Sequence, residues 1–174
     1  MKSFIILLTT FVLFTFTFTD LTAQTQTIPA SPAQEETGKI GDATITIKYS
    51  SPGVKGRTIW GELVPYDVVW RSGANAATTI STDKDLIIDG KTLPAGTYSF
   101  STIPREDKAW IAIFNKNTDT WGAFDYDEKD DVLRIESQPR KSDEMTERLT
   151  YTIADDAILL IWENLLLPIP VEVK

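Results

Sequence analysis

The chain has 174 residues, Lys+Arg 17 against Asp+Glu 25, a formal net charge of −8, and neither cysteine nor histidine. Without cysteine it forms no disulfide and no thiolate site, and without histidine it has neither an imidazole base nor a Ser–His–Asp triad. The negative charge argues against a nucleic-acid partner and against an anionic membrane as partner.

Residues 1–23 have the three-part layout of a secretory signal peptide. Lys2 forms a short positive region, an apolar stretch follows it up to Phe18, and Ala23 offers a small residue at the cleavage position. We expect cleavage before Gln24 and no membrane span afterwards. A retained anchor is the alternative, but a span needs about 20 apolar residues, and this run is shorter and rich in threonine. An export signal in a chain without cysteine is typical of bacterial periplasmic or secreted proteins.

The next segment, residues 24–38, is polar, contains Pro29 and Pro32, and has no periodic apolar face. Such composition is typical of a flexible linker. From residue 39 onward the pattern is dominated by a period of two, which is the strand signature. We therefore predict a flexible linker over 24–38 and one β-domain over 39–174.

Alternation between apolar and polar residues is clearest over 44–49, where Ile45, Ile47 and Tyr49 share one face. Asp89-Gly90 stands between Leu86-Ile87-Ile88 and Lys91-Thr92-Leu93 and is the strongest hairpin signal of the chain. Further strands are predicted over residues 97–101, 110–114, 132–137, 148–154 and 157–163. The run 110–114 is continuously apolar, which indicates a central strand.

The C-terminal segment Leu165–Val173 also alternates, with Pro168 and Pro170 on its second face. Because proline cannot donate a ladder hydrogen bond, this is an edge strand or a bulged strand. In all, eight or nine short strands separated by turn signals predict an all-β fold, either an antiparallel β-sandwich or a jelly roll.

A single segment, Thr58–Val64, suggests a helical turn. Ile59, Trp60 and Leu63 would face inward on that turn, and Pro65 would end it.

The longest distinctive motif runs from Tyr49 to Asn75 and reads YSSPGVKGRTIWGELVPYDVVWRSGAN. Together with Leu93–Tyr98 and Trp121-Gly122-Ala123, it resembles an exported family of domains of unknown function that is abundant in Bacteroidetes-type bacteria. The resemblance covers nearly all of residues 42–173. It implies an exported bacterial protein, and it brings no activity, ligand or catalytic residue to this chain.

The densest cluster of functional side chains lies within this motif, where cationic and amide side chains alternate with aromatic rings. A guanidinium fork binds an oxyanion in two places, and Trp or Tyr rings stack on a sugar or an apolar group. We therefore predict a non-catalytic site for a carbohydrate or a small anionic envelope ligand, formed by Arg57, Trp60, Tyr66, Trp70, Arg71 and Asn75. The structural alternative makes Trp60 and Trp70 core residues and Arg71 a buried strut that binds loop carbonyls.

A second cluster is acidic and spans 125–131. Carboxylate oxygens are ligands for Ca²⁺, but the order does not fit an EF-hand. The segment Asn115–Asp119 begins like one, yet Thr120 stands where glycine is required and Tyr126 where the bidentate glutamate belongs. We predict a solvated turn here, and no metal or cofactor for the protein.

Two functions of other classes stay open. A carboxylate-based hydrolase, with Glu62 or Asp67 as the acid, needs neither histidine nor cysteine. A Ser–Lys arrangement of Ser50 or Ser72 with Lys55 is also chemically permitted, without a recognised nucleophile motif. The remaining candidate is a structural or assembly module that pairs through the C-terminal edge strand, where the two prolines oppose pairing. The sequence leaves the oligomeric state open.

Overall fold

The computed structural model describes residues 29–173, so the predicted signal peptide lies outside the described residues. Eleven strands form within this range, together with one 3-10 turn at Glu128–Asp130, and the prediction of an all-β fold is confirmed. The strands are β1 (Ala33–Ile40), β2 (Ala43–Ser50), β3 (Thr78–Thr82), β4 (Leu86–Ile88), β5 (Lys91–Leu93), β6 (Gly96–Ile103), β7 (Trp110–Asn115), β8 (Asp131–Ser137), β9 (Arg140–Ile153), β10 (Ala157–Pro170) and β11 (Glu172–Val173).

The strands pair antiparallel in three sheets. The largest has six strands in the order β1-β2-β3-β6-β7-β8, β9 and β10 form a long hairpin, and β11, β4 and β5 form a small third sheet. Strand β7 has a hydrogen-bonded neighbour on each side and is almost entirely buried. This confirms the prediction that residues 110–114 form a central strand.

One hydrophobic core lies between the six-stranded sheet and the β9–β10 hairpin. Ile45, Ile47 and Tyr49 of β2 are buried in it, as the alternation predicts, and they share it with side chains of β9 and β10. The Tyr49 ring meets the Tyr151 ring of β9 edge to face, with 4.8 Å between the ring centroids. The two layers therefore pack face to face, as in a β-sandwich.

The predicted hairpin is present and joins β4 to β5. Its two turn residues, Asp89 and Gly90, have φ values of 51° and 70°. Two successive positive φ values define the type I′ turn that Asp-Gly favours.

Two strands escaped the sequence analysis. Residues 33–38, which we assigned to the flexible linker, lie in β1, and β1 pairs with β2 along its whole length. Because β1 is the outermost strand of its sheet, only Ile40 is buried and the apolar alternation is missing. Strand β3 was missed because threonines fill its buried positions on either side of Ile80.

The chain does not form a helix at the turn predicted over 58–64. The backbone N–H of Leu63 donates to the Thr58 carbonyl, and that of Val64 donates to the Ile59 carbonyl. Both bonds join residues five positions apart, one more than in an α-helix. Ile59 is buried as expected, but 43% of Leu63 is exposed, so its predicted inward orientation is wrong.

The C-terminal segment differs in its bounds from the predicted strand: residues 165–170 continue β10 beyond a bulge at Glu163, and Glu172–Val173 form β11, which pairs with β4. Strand β10 pairs with β9 alone among the described strands, and its register shifts on both sides of Glu163. Leu167, Ile169 and Val171 are buried, as the alternation predicts. No helix among residues 29–173 has the length and apolar character that crossing a membrane requires.

Candidate functional site

Four tryptophans meet at one end of the core, and we call them the tryptophan cluster: Trp60, Trp70, Trp110 and Trp162. Trp60 lies at the centre, with ring centroids 4.8 Å from Trp110 and 5.7 Å from both Trp70 and Trp162, each edge to face. Trp70 and Trp162 stack, with 5.9 Å between centroids and an angle of 19° between the rings. Aromatic pairs of this kind contribute about 0.5–1.5 kcal/mol each beyond their buried area.

The tryptophan cluster borders two cavities. The Arg71 cavity, of about 220 Å³, is lined by Arg57, Trp70, Arg71 and Trp162 among others. The bulge cavity, of about 290 Å³, is lined by Trp60, Tyr66, Trp110 and residues at both ends of the β9–β10 bulge. The predicted site residues are thus divided: Arg57, Trp70 and Arg71 line the first cavity, Trp60 and Tyr66 line the second, and Asn75 lines neither.

The backbone around Arg71 is fixed from both sides. Trp70 exchanges two backbone hydrogen bonds with Thr102, of 2.7 and 2.8 Å. The next residue, Ser72, is fully buried with a φ of 52°, and its carbonyl accepts hydrogen bonds from the Tyr151 hydroxyl (2.8 Å) and the Thr78 hydroxyl (3.1 Å). A left-handed serine costs about 1–3 kcal/mol and persists where surrounding contacts hold it, often at functional sites.

Gly73 allows this segment to pack closely. A Cβ atom at this position would lie 2.6 Å from Thr78 Oγ1 and 3.3 Å from the Ser50 carbonyl oxygen. Thr78 is fully buried and its hydroxyl is bound to Ser72, so it has no room to retreat. Position 73 therefore accommodates glycine, because any Cβ atom would overlap the Thr78 side chain.

The Arg71 guanidinium is half-buried and has no counter-charge among residues 29–173. Its Nε is buried without a hydrogen-bond partner, and no ion pair joins Arg71 to any residue of the described range. Burial lowers the pKa of Arg71, although arginine keeps its charge in proteins. The Nε1 of Trp162, another lining residue, is also buried without a partner. Buried polar groups ordinarily have one, so both donors are unusual.

Arg57 is the strut of this region. Its Nε donates to the Val54 carbonyl (3.1 Å) and its Nη2 to the Gly53 carbonyl (2.5 Å). Arg57, although an exposed residue, thus binds the loop carbonyls that the structural alternative assigned to a buried Arg71. Among the described residues, two arginines and no acidic residue line the Arg71 cavity, and this arrangement can bind an anion.

Asn75 connects two loops rather than lining a cavity. Its side-chain Nδ2 donates to the Ser31 carbonyl (3.4 Å), and its backbone carbonyl accepts a hydrogen bond from the Gly122 N–H (3.1 Å). The second contact brings Gly122 beside Arg71, since a Cβ on Gly122 would lie 3.7 Å from Arg71 Nη1. The neighbouring Trp121 and Phe124 are 64% and 92% exposed. No local pattern in the sequence places Gly122 beside Arg71.

Most carboxylates of the acidic segment 125–131 bind other groups of the protein. Asp131 accepts from Asn115 Nδ2 (2.8 Å) and the Tyr126 hydroxyl (2.7 Å), and its Oδ2 lies 2.7 Å from Arg134 Nε. Burial and the hydrogen bond to Asp131 raise the pKa of Tyr126 to about 12. Within residues 29–173, no group of three or more acidic side chains is arranged to hold a metal ion.

The proposed hydrolase carboxylates lie elsewhere. Glu62 and Asp67 are both exposed, and neither lines the Arg71 cavity or the bulge cavity. The carboxylates that do line the bulge cavity are Asp107 and Glu163.

Comparison with known proteins places the chain in a family. No curated protein and no solved structure matches it. A family model described as a protein of unknown function, DUF2911, matches residues 31–171, which is nearly all of the described range and includes both cavities. The chain therefore belongs to the DUF2911 family of proteins of unknown function.

Proposed function

We propose that this domain binds a small organic anion in the Arg71 cavity, without catalysis. The ligand class is a carbohydrate acid or another envelope molecule that carries a carboxylate or a sulfate. The observation that carries the proposal is the half-buried guanidinium of Arg71, which has no counter-charge in the described part of the chain. A bound anion would supply the missing partner of Arg71 and would offset the cost of its burial.

The walls of the cavity suit such a ligand. Its volume is about 220 Å³, whereas pockets for drug-sized molecules have volumes of about 300–1,000 Å³. The cavity therefore favours a ligand the size of one sugar unit. The half-buried Trp70 offers a ring for the apolar face of a sugar, and Arg71 offers two N–H groups to one oxyanion. Each hydrogen bond to a charged group is worth about 1.5–3 kcal/mol.

A titration of the purified protein tests this proposal. Sugar acids, sulfated sugars and their neutral counterparts are added while tryptophan fluorescence is followed, because Trp70 and Trp162 line the cavity. We expect a saturable change with one anionic class. Arg71→Met lowers the affinity about tenfold or more, and Arg71→Lys lowers it less because the charge remains.

Lys129→Met is the matched control, since Lys129 is exposed and lines neither cavity. A flat response from folded protein, or an equal loss in Lys129→Met and Arg71→Met, would contradict the proposal. Urea unfolding of each variant separates loss of binding from loss of folding.

We further propose that the protein is exported from a Bacteroidetes-type bacterium through residues 1–23. The supporting observations are the three-part layout of this segment and the resemblance of the Tyr49–Asn75 motif to an exported family. Mass spectrometry of protein from the periplasm and the medium tests it. We expect a mature N-terminus at Gln24, and a chain that keeps Met1 in the cytoplasm would exclude export.

A further inference from the structure

The bulge cavity has features of a second binding site, separate from the Arg71 cavity. Three cationic residues line it, Lys108, Arg140 and Lys141, whose side chains have no ion pair or hydrogen bond within residues 29–173. The half-buried rings of Trp60 and Tyr66 line it as well. Cationic groups and accessible rings therefore lie around one space of about 290 Å³.

Strand pairing brings these residues together from distant parts of the chain. Strand β9 begins at Arg140, and the register places Arg140 opposite Leu166 and Lys141 opposite Leu165 of β10. The bulge at Glu163 lies directly before this pairing. Bulges frequently lie next to functional sites, where they redirect a side chain.

Two lining residues hold strained backbone conformations. Glu163 has a φ of 57° and Asp107 a φ of 52°. The Glu163 carboxylate accepts both the N–H (2.7 Å) and the Nδ2 (2.6 Å) of Asn164. These bonds turn the carboxylate toward Asn164, and within residues 29–173 it forms no ion pair with the cationic residues of the cavity. Left-handed non-glycine residues cluster at binding and active sites, and two of them line this one cavity.

The charge of the cavity opposes that of the whole chain. Four cationic residues line it, the three already named and Arg105, against the two carboxylates of Asp107 and Glu163. Arg105 is already 3.5 Å from Glu136. The chain as a whole carries −8. A positive cleft in an acidic protein focuses the field on anions and repels cations.

We propose that the bulge cavity binds a multiply anionic saccharide, one that carries sulfates or several carboxylates. Lys108, Arg140 and Lys141, which have no ion pair within the described residues, match several negative groups on one ligand, whereas Arg71 offers one free guanidinium to a single group. The Trp60 and Tyr66 rings provide faces for a sugar ring, and the volume accommodates one sugar unit with its neighbours outside. The two cavities have no lining residue in common, so this site does not depend on the function proposed for Arg71.

Calorimetric titration of the purified protein with sucrose octasulfate tests the proposal, with sucrose and inorganic sulfate as reference ligands. We expect saturable binding of the octasulfate and weaker binding of both references. The double variant Arg140→Ala/Lys141→Ala should lower the affinity about tenfold or more. Tyr66→Ala should lower the affinity through the lost stacking face.

The matched control is Lys39→Ala/Lys129→Ala, which removes the same charge from exposed residues that line neither cavity. This control should keep the affinity within about twofold, because neither lysine lines the bulge cavity. If both double variants lose the same affinity for the octasulfate, the net charge of the protein explains the binding, and the proposal is overturned. Loss in Arg71→Met with retention in Arg140→Ala/Lys141→Ala would assign the ligand to the Arg71 cavity instead. No binding by the folded wild-type protein would also overturn it, and would leave the Arg71 proposal to its own titration.

Discussion

Gly73 and Ser72 together determine where the Arg71 side chain lies. Ser72 holds a left-handed conformation through two hydrogen bonds to its carbonyl, and Gly73 lets the chain pass close to Thr78. Their neighbour Arg71 is thereby kept half-buried beside Trp70. The sequence revealed the residue types of this segment but not its strain, because serine gives no local signal for a positive φ.

We predict that Gly73→Ala lowers the free energy of unfolding by about 3 kcal/mol, because the new methyl group overlaps Thr78 Oγ1 and neither group has room to move. Gly90→Ala is the control. Gly90 has a φ of 70° and nothing within 4 Å of its Cβ position, so only the backbone cost of about 1 kcal/mol applies. Urea unfolding measures both. Equal losses would mean that the Thr78 contact does not limit this position.

At the scale of elements, β1 links the two layers of the sandwich. It pairs with β2 in the large sheet, and a Cβ on its Gly38 would lie 3.0 Å from Ile153 Cβ of β9. This close approach explains why a strand with a single buried side chain still belongs to the domain. The strand is polar because its side chains face solvent, so periodicity alone assigned it to a linker.

Gly38→Ala should lower the free energy of unfolding by about 1–3 kcal/mol, because it forces β1 and β9 apart. If that contact is the cause, shortening Ile153 makes room for the methyl group. The double variant Gly38→Ala/Ile153→Ala should then lose less stability than the sum of the two single variants. Denaturant unfolding of all four proteins gives the coupling, and strict additivity would contradict direct packing of β1 on β9.

Prediction from sequence succeeded where one face of a strand is buried and failed where pairing over long distance decides. The alternation at Ile45 and Ile47 and the Asp89-Gly90 turn contain their own structural signal. The candidate site was predicted as one cluster because its residues lie within 57–75. The structure divides it, since Trp110, Trp162 and the Arg140–Lys141 pair approach only through the β7 and β9–β10 pairing. No local pattern encodes that register.

The whole molecule titrates in an unusual way, because it contains no histidine and every one of its tyrosines resists ionisation. Burial is the main cause in each case, since the phenolate is the charged form. The hydrogen bond to Asp131 adds to the effect at Tyr126. The tyrosines with a raised pKa are Tyr49, Tyr66, Tyr98, Tyr126 and Tyr151.

We predict that stability is flat between about pH 6 and pH 8 and falls above about pH 10. No side chain of this protein has an ordinary pKa in the first window. Above the unfolded tyrosine pKa of about 10, the unfolded chain releases protons that the folded chain retains, so the free energy of unfolding decreases. Urea unfolding at a series of pH values measures it. Tyr151→Phe should make the alkaline fall shallower, and an unchanged slope would remove Tyr151 from the effect.

The tryptophan cluster also has an optical consequence. Indoles whose centroids lie 4.8–5.9 Å apart at fixed angles couple their electronic transitions. Excitation is then shared among rings contributed by the Trp60 turn, the Trp70 segment, β7 and β10. The far-ultraviolet circular dichroism of the native protein should therefore carry an exciton couplet superimposed on the β-sheet spectrum. The couplet would reach its full native form during refolding only when all four parts of the chain have docked, so its final amplitude distinguishes native assembly from collapse.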